Sequence, residues 1–349
     1  MTERAGQMDH DDCEGLPAAA EDWLTTNVRG YRGPGRLRKF GFGQSNPTFR
    51  LSTDSGMFVL RRKPLGALLP KAHAVEREFQ VLDALNGSGV PIPHVHAFCE
   101  DPSVLGAAFY VMDYVEGRIF YDQRLPDLTP EDRGAVFDSM NATIAGLHSI
   151  DPVAVGLGGY GRSEDFLGRQ IALWTRQYRA GETTPIDAME QLIRWLPENT
   201  PAQQPTRIFH GDLRLDNMIF HPTAPRVIAL LDWELSTLGD PVADFAYHMI
   251  SWRIPADLFR GFKGIDLGAL GVPAEAEYVR KYCDRVGRTE LQHWDFYLAF
   301  GLFRIASILQ GIRRRALDGN ATAANAAEVG LRAAPLAELG WQIVQSGSE

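Results

Sequence analysis

The segment from Arg207 to Asp244 constrains this chain more than any other, because it carries a hairpin whose two ends bear oxygen ligands. Asn217 opens the apolar run Met218-Ile219-Phe220, His221-Pro222-Thr223-Ala224-Pro225 has the composition of a turn, and Val227 to Leu231 is a β-branched, apolar strand. Positions 217 and 232 are symmetric about Ala224 and Pro225, so closing the hairpin brings Asn217 and Asp232 opposite or nearly opposite each other at its open end. A carboxamide oxygen and a carboxylate suit Mg²⁺, which takes few protein ligands and fills its other positions with water and phosphate. Five residues before Asn217, on the loop after the short apolar strand Ile208-Phe209, Asp212 is placed to accept a proton from an attacking hydroxyl. A base beside two metal ligands is what phosphoryl transfer from ATP needs. Singly, each of these residues has an ordinary role as a turn former or helix cap. Three of them, with His210-Gly211 before the first and an intact hairpin between the others, outweigh that ordinary reading.

His210-Gly211-Asp212 with Asn217, then Leu231-Asp232-Trp233-Glu234 and Asp240 to Asp244, resembles the catalytic core of the aminoglycoside phosphotransferase and choline kinase superfamily. The resemblance implies an α+β, protein kinase-like bilobal fold with a small β-rich N-lobe and a larger helical C-lobe. It implies Asp212 as catalytic base, Asn217 and Asp232 as Mg²⁺ ligands, and ATP as phosphoryl donor. In the same pattern Asp240 and Asp244 brace the catalytic loop. Protein kinases have Phe-Gly after the metal aspartate, where this chain has Trp233-Glu234, and no Ala-Pro-Glu segment follows. The implied substrate is therefore a small molecule.

Composition bounds the alternatives. At 349 residues, 45% hydrophobic and 23% charged, the chain has the make-up of a globular protein with room for two lobes. Its net charge of -9 provides no footprint for nucleic acid or an anionic membrane surface. Cys13, Cys99 and Cys283 are far apart and form no Cys-x-x-Cys, so they read as reduced, buried thiols of a cytoplasmic protein. Residues 1–22 carry Asp9, Asp11, Asp12 and Glu14 with no apolar core, which reads as a flexible tail. The apolar stretch from Tyr297 to Ile312 is broken by Arg304 and is expected to be too short to span a bilayer.

The N-lobe is expected over residues 23–117. Gly41-Phe42-Gly43-Gln44-Ser45 precedes the strand-like Thr48 to Leu51, and its glycines, Gly43 among them, let backbone amides approach phosphate while Ser45 adds a hydroxyl donor. Asn46 stands where a third glycine would complete Gly-x-Gly-x-x-Gly, and no Walker A lysine occurs. Met57 to Lys63 reads as the next strand, with Val59, Arg61 and Lys63 on one face. By the resemblance, Arg61 takes the place of the kinase lysine that holds the phosphates, with Lys63 as its rival, and Glu78 is its helix partner. Glu76 is left for a solvent-side pair. Ala72 to Leu85 has the apolar spacing of one helical face, at Val75, Phe79, Leu82 and Leu85. Ala108 to Gly117 resembles the inter-lobe hinge, so that backbone groups from Asp113 to Val115 meet adenine and Val59 and Met112 line its slot.

The C-lobe is expected over 118–349, opening with a helix from Pro130 to Ile150. Gly156 to Arg162, Arg169 to Tyr178, Gln44 to Thr48 and Ala74 to Glu78 resemble the subgroup of this superfamily associated with acyl-CoA dehydrogenases. That resemblance makes a hydroxyacyl-CoA or related hydroxy acid the leading acceptor and an acyl-CoA dehydrogenase a functional associate. An aminoglycoside or amino-alcohol kinase and a non-catalytic nucleotide-binding module are the alternatives. Arg304, interrupting an apolar helix, is expected to be half-buried and paired, with an acyl-CoA phosphate as a partner to consider; Arg313 to Arg315 read as favourable charge at a helix C-terminus.

Overall fold

The structure is a computed structural model and describes residues 14–41, 46–66, 73–321 and 325–347. Two compact units emerge, the first comprising Met1–Tyr121, Val153–Leu157 and Leu215–Ser236 and the second the remaining segments. Helices and an antiparallel sheet make it the bilobal α+β fold that the motifs imply.

The first unit is built on an antiparallel six-stranded sheet. Its strands are β1 (Glu14–Gly15), β2 (Arg36–Lys39), β3 (Thr48–Thr53), β4 (Gly56–Arg62), β5 (Val95–Cys99) and β6 (Phe109–Asp113), ordered β1-β2-β3-β4-β6-β5. Between them lie α1 (Ala18–Asn27), α2 (Val75–Ala84) and the single turn α3 (Pro102–Leu105). Alternation along each strand decides which residues meet the core. Phe58 and Leu60 of β4, Phe109 and Val111 of β6 and Leu51 of β3 point to one face, where they pack on Ala20, Leu24 and Val28 of the α1 region. Val59 and Arg61 point to the other, beside Met112 and Tyr110, their direct partners on β6. The segment 14–22 is therefore no tail: it forms β1 and the start of α1, because Ala20 and Leu24 are buried against the sheet. Residues 1–13, Cys13 included, lie outside the described residues, as do Gly43 and Ser45.

Beyond β6 the chain pairs again. Arg118 and Phe220 exchange both backbone hydrogen bonds at 2.8 Å. Gly117 permits this approach, since a Cβ there would sit 2.4 Å from the Phe220 carbonyl.

The second unit begins with α4 (Pro130–Ser149), capped by the Thr129 hydroxyl, and continues through α5 (Phe166–Gly181), α6 (Asp187–Glu198) and β7 (Arg207–Phe209). The chain then passes into the first unit as the hairpin β8 (Met218–Phe220) and β9 (Val227–Leu230), preceded by a 3-10 turn at Leu215–Asn217. It re-enters the second unit with β10 (Thr237–Gly239), antiparallel to β7, and closes with α7 (Pro241–Met249), α8 (Leu267–Leu270), α9 (Glu275–Val286), α10 (Trp294–Leu317), α11 (Ala326–Gly330) and α12 (Ala333–Ser346). At 24 residues α10 exceeds the stretch expected from sequence and is long and apolar enough, by length and composition, to cross a membrane. Its apolar surface is taken up instead by α5, α7 and α12, which pack around it and bury Phe296 to Ser307. Cys99 and Cys283 are free and buried, as expected.

Candidate active site

Each unit presents one cluster of charged residues built on the motifs read from sequence. In the first, the hairpin has the expected closure. Met218 pairs with Leu230 and the Leu231 amide donates to the Asn217 carbonyl at 2.8 Å, so Asn217 stands across from Leu231 and Asp232 lies one residue further on. Asp232 adopts φ +66°, a left-handed backbone that a non-glycine residue holds only when its surroundings impose it. Those surroundings include Trp233, which is buried and donates its indole N–H to the Leu230 carbonyl at 3.1 Å.

Arg61 links this hairpin to the sheet and to α2. Its Nε lies 2.8 Å from Glu78 Oε2, its Nη2 lies 3.1 Å from Asp232 Oδ1 and 3.8 Å from Glu234 Oε2, and its Nη1 donates to the Thr48 hydroxyl at 3.2 Å. Burial works against the guanidinium charge, but Glu78, Tyr110, Asp232 and Glu234 together raise its pKa further above the ordinary arginine value. Glu78 is itself buried, which pushes its carboxyl up, while Arg61, Asn46 and Tyr110 oppose that shift. Asn46 Nδ2 donates to Glu78 Oε1 at 2.6 Å and the Tyr110 hydroxyl donates to Oε2 at 3.2 Å. Lys63, the rival of Arg61, pairs instead with Glu76 at 2.8 Å on the solvent side of α2.

One expectation changes here, at Asn46. The Asp113 amide donates to the His94 carbonyl at 2.8 Å because pairing with the β5 side runs to the end of β6, and its carboxylate lies 2.7 Å from His96 Nε2. Val115 lies past the strand and is half-buried. Asn46, read only as a missing glycine, is a fully buried partner of Glu78 and of His73 Nδ1, the latter at 3.1 Å. A polar residue interrupting a glycine pattern was the available signal.

In the second unit, the loop after β7 has its backbone groups engaged one by one. The amides of His210 and Gly211 donate to Asp244 at 2.6 and 3.0 Å, the Asp212 amide donates to His210 Nδ1 at 3.2 Å, and Arg304 Nη2 donates to the Gly211 carbonyl at 2.5 Å. Gly211 sits at φ +89°, where a side chain would be strained. The Asp212 carboxylate, part-exposed, lies 3.0 Å from Arg214 Nε. Burial opposes the charge of Asp244, yet His148 and His210 hold its carboxyl below the usual range. Asp240 caps α7 through the Val242 amide at 2.8 Å and accepts from Tyr297 at 2.7 Å. Both aspartates are thus structural supports of this unit, in line with the family pattern. Arg304 departs from expectation: it is buried, its partner is the Gly211 carbonyl, and its guanidinium lies over Tyr247 at 4.2 Å and Trp174 at 5.2 Å.

Near this loop His248 is buried between the Leu213 carbonyl, 3.2 Å from Nδ1, and the Tyr278 hydroxyl, 3.0 Å from Nε2. Burial pushes the imidazole down to about 4. The unfolded chain protonates this histidine below about pH 6.5 while the folded chain resists until pH about 4, so stability should fall as pH drops through that window. Urea midpoints at pH 7 and 4.5 check this, and the difference should shrink in a His248→Gln chain.

As for a metal, the described residues contain no cluster of three or more His, Cys, Asp or Glu side chains. The donor set at the hairpin, an amide oxygen from Asn217 and a carboxylate from Asp232, fits a cation that keeps most of its coordination for water and phosphate.

Comparison with known proteins places the chain in a family. Residues 36–297 match the phosphotransferase enzyme family. Acyl-CoA dehydrogenase family member 10 of Mus musculus is 48% identical over 311 residues, a match covering 88% of this chain and 29% of that protein. The chain thus spans well under half the length of that relative. A candidate aminoglycoside phosphotransferase from Ralstonia eutropha JMP134 has a crystal structure that superposes with a TM-score of 0.88 at 48% identity, covering 95% of this chain and 99% of that one. Choline kinase from Cryptosporidium parvum shares the fold, with a TM-score of 0.63 at 12% identity over 93% of this chain and 96% of its own. On the family match and on the similarity to the Ralstonia protein along nearly its whole length, the chain belongs to the phosphotransferase enzyme family.

Proposed function

We propose that this protein transfers the γ-phosphoryl group of ATP to a hydroxyl of a small molecule, with a hydroxyacyl-CoA or related hydroxy acid as the leading acceptor. The observation that carries the reading is the Glu78–Arg61–Asp232 chain of contacts in the first unit, which ties a phosphate-binding cation to a metal-binding carboxylate. Val59 and Met112, paired on the same sheet face, supply the apolar surface for adenine, and Arg61 addresses the phosphates. Asn217 and Asp232 would hold Mg²⁺, which when bound neutralises phosphate charge. Asp212 orients the acceptor hydroxyl and takes its proton. Arg214 Nε lies 3.0 Å from one oxygen of that carboxylate.

The acceptor class follows from two supports. The relative from Mus musculus is named for acyl-CoA chemistry. In addition, Arg214 stands 3.0 Å from Asp212 and Arg260 acts on the neighbouring buried Tyr247, cations that suit an anionic acceptor better than a polycationic aminoglycoside. An acyl-CoA dehydrogenase is the functional associate this reading implies. The test is purified protein with ATP, Mg²⁺ and a panel of hydroxyacyl-CoAs, choline, homoserine and aminoglycosides, with products weighed by mass spectrometry. A hydroxyacyl-CoA should gain one phosphate. Turnover of an aminoglycoside alone would overturn the acceptor, and no transfer to any member would overturn the activity.

A further inference from the structure

Arg304 is the buried cation that the chemistry above leaves without a purpose. It is 4% exposed, and a buried guanidinium normally has a carboxylate partner, because leaving water costs several kcal/mol. Here it has a carbonyl. Nη2 donates to Gly211 O, the guanidinium carbon lies over the Tyr247, Trp174 and Phe209 rings at 4.2, 5.2 and 5.9 Å, and Nε is buried with no hydrogen-bond partner among the described residues.

The carbonyl it binds belongs to the peptide joining Gly211 to Asp212, and the N–H of that same peptide donates to His210 Nδ1. One peptide plane is therefore gripped at both ends. The preceding two amides are gripped by Asp244, and the Leu213 carbonyl lies against His248. A peptide flanked by a glycine at φ +89° has a soft axis on its glycine side, since glycine tolerates both signs of φ. Removing the donor at the carbonyl would free the plane to rotate and swing the Asp212 side chain with it.

We propose that Arg304 is a positioning residue for Asp212: it fixes the Gly211–Asp212 peptide, and the aromatic rings of Trp174, Phe209 and Tyr247 fix Arg304. The inference rests on Asp212 being the base, and it explains why the buried stretch of α10 from Phe296 to Ser307 carries a cation. The burial of Arg304 also removes it from the acceptor, so no acyl-CoA phosphate is needed to account for it.

The test uses the full chain with Arg304→Met, which keeps an unbranched side chain and loses the donor, and Arg304→Lys, which keeps the charge on a single nitrogen. Two readouts are taken: amide hydrogen exchange over residues 210–213, and kcat and KM for ATP with the fastest acceptor of the panel above. In Arg304→Met exchange should rise by about tenfold or more and kcat should fall about 100-fold with the ATP KM unchanged, as expected for a misplaced reacting group. Arg304→Lys should recover about tenfold of the lost kcat, because an ammonium can reach one acceptor without the planar stacking. Unchanged exchange, or an unchanged kcat despite faster exchange, overturns the proposal. So does an ATP KM that rises as far as kcat falls. If Arg304→Met does not fold, Arg304→Lys decides, and wild-type kcat in it overturns the proposal. A wild-type chain with no phosphoryl transfer would instead overturn the assignment of Asp212, while the exchange data still judge the clamp.

Discussion

Replacing Asp212 by Asn should lower kcat about 100- to 10,000-fold and leave ATP binding within about twofold, the range a positioned general base supplies. The substitution preserves the shape of the side chain and the backbone clamp, since the backbone groups of His210, Gly211 and Asp212 are held by Asp244, the His210 ring and Arg304. What it removes is the negative charge that accepts the proton and pairs with Arg214 at 3.0 Å. The loss should therefore appear in kcat at saturating ATP and not in the melting temperature. Wild-type turnover in Asp212→Asn would show that the hydroxyl is deprotonated elsewhere, and the assignment would be lost.

The second large effect is expected at Arg61. Arg61→Met leaves Glu78 buried at 2% exposure with its cation gone, a change of the kind that destabilises proteins by about 3 to 5 kcal/mol. It also releases Asp232, whose Oδ1 lies 3.1 Å from Nη2, and removes the cation assigned to the ATP phosphates. Losing hydrogen bonds to charged groups of about 1.5 to 3 kcal/mol should raise the KM for ATP roughly 10- to 100-fold. Arg61→Lys separates the two consequences. A lysine keeps the charge beside Glu78 and hence most of the stability, but one nitrogen cannot span Glu78 and Asp232 as the guanidinium does. Urea unfolding and ATP kinetics on both variants provide the measurement; equal KM values in Arg61→Met and wild type would remove Arg61 from the nucleotide site.

Both variants depend on residues that motif and periodicity had already singled out. Alternation along 57–63 placed Val59 and Arg61 on one face, and the strand register confirms it, because side chains two apart share a face in any strand. The symmetry of the hairpin about Ala224 and Pro225 placed Asn217 and Asp232 to within one residue, since antiparallel register follows from the turn. The family resemblance gave Glu78 to Arg61 and left Glu76 for a solvent-side pair, and the structure pairs Arg61 with Glu78 and Lys63 with Glu76.

Other features had no local signal. Ala18 to Asn27 is acidic and weakly amphipathic, and it is a helix only because Ala20 and Leu24 find Leu51, Leu60 and Phe109 to pack on. The fate of the Asp113 amide depended on a pairing partner, His94, many residues earlier in the chain. Arg304 was visible as a cation in an apolar helix, yet its partner at Gly211 lies 93 positions away and offers only a carbonyl, which every residue has.

The sequence by itself singled out the residues proposed for catalysis, Asp212, Asn217 and Asp232 by residue type and short spacings along a strand, a loop and a turn, and Arg61 and Glu78 by the family resemblance. Only the tertiary structure decided what holds those residues in place. Asn46 and Tyr110 on Glu78, Asp244 on the loop amides and Arg304 on the Gly211 carbonyl are contacts across long separations, made by common groups whose identity carries no spacing rule, so burial and three-dimensional proximity alone select them.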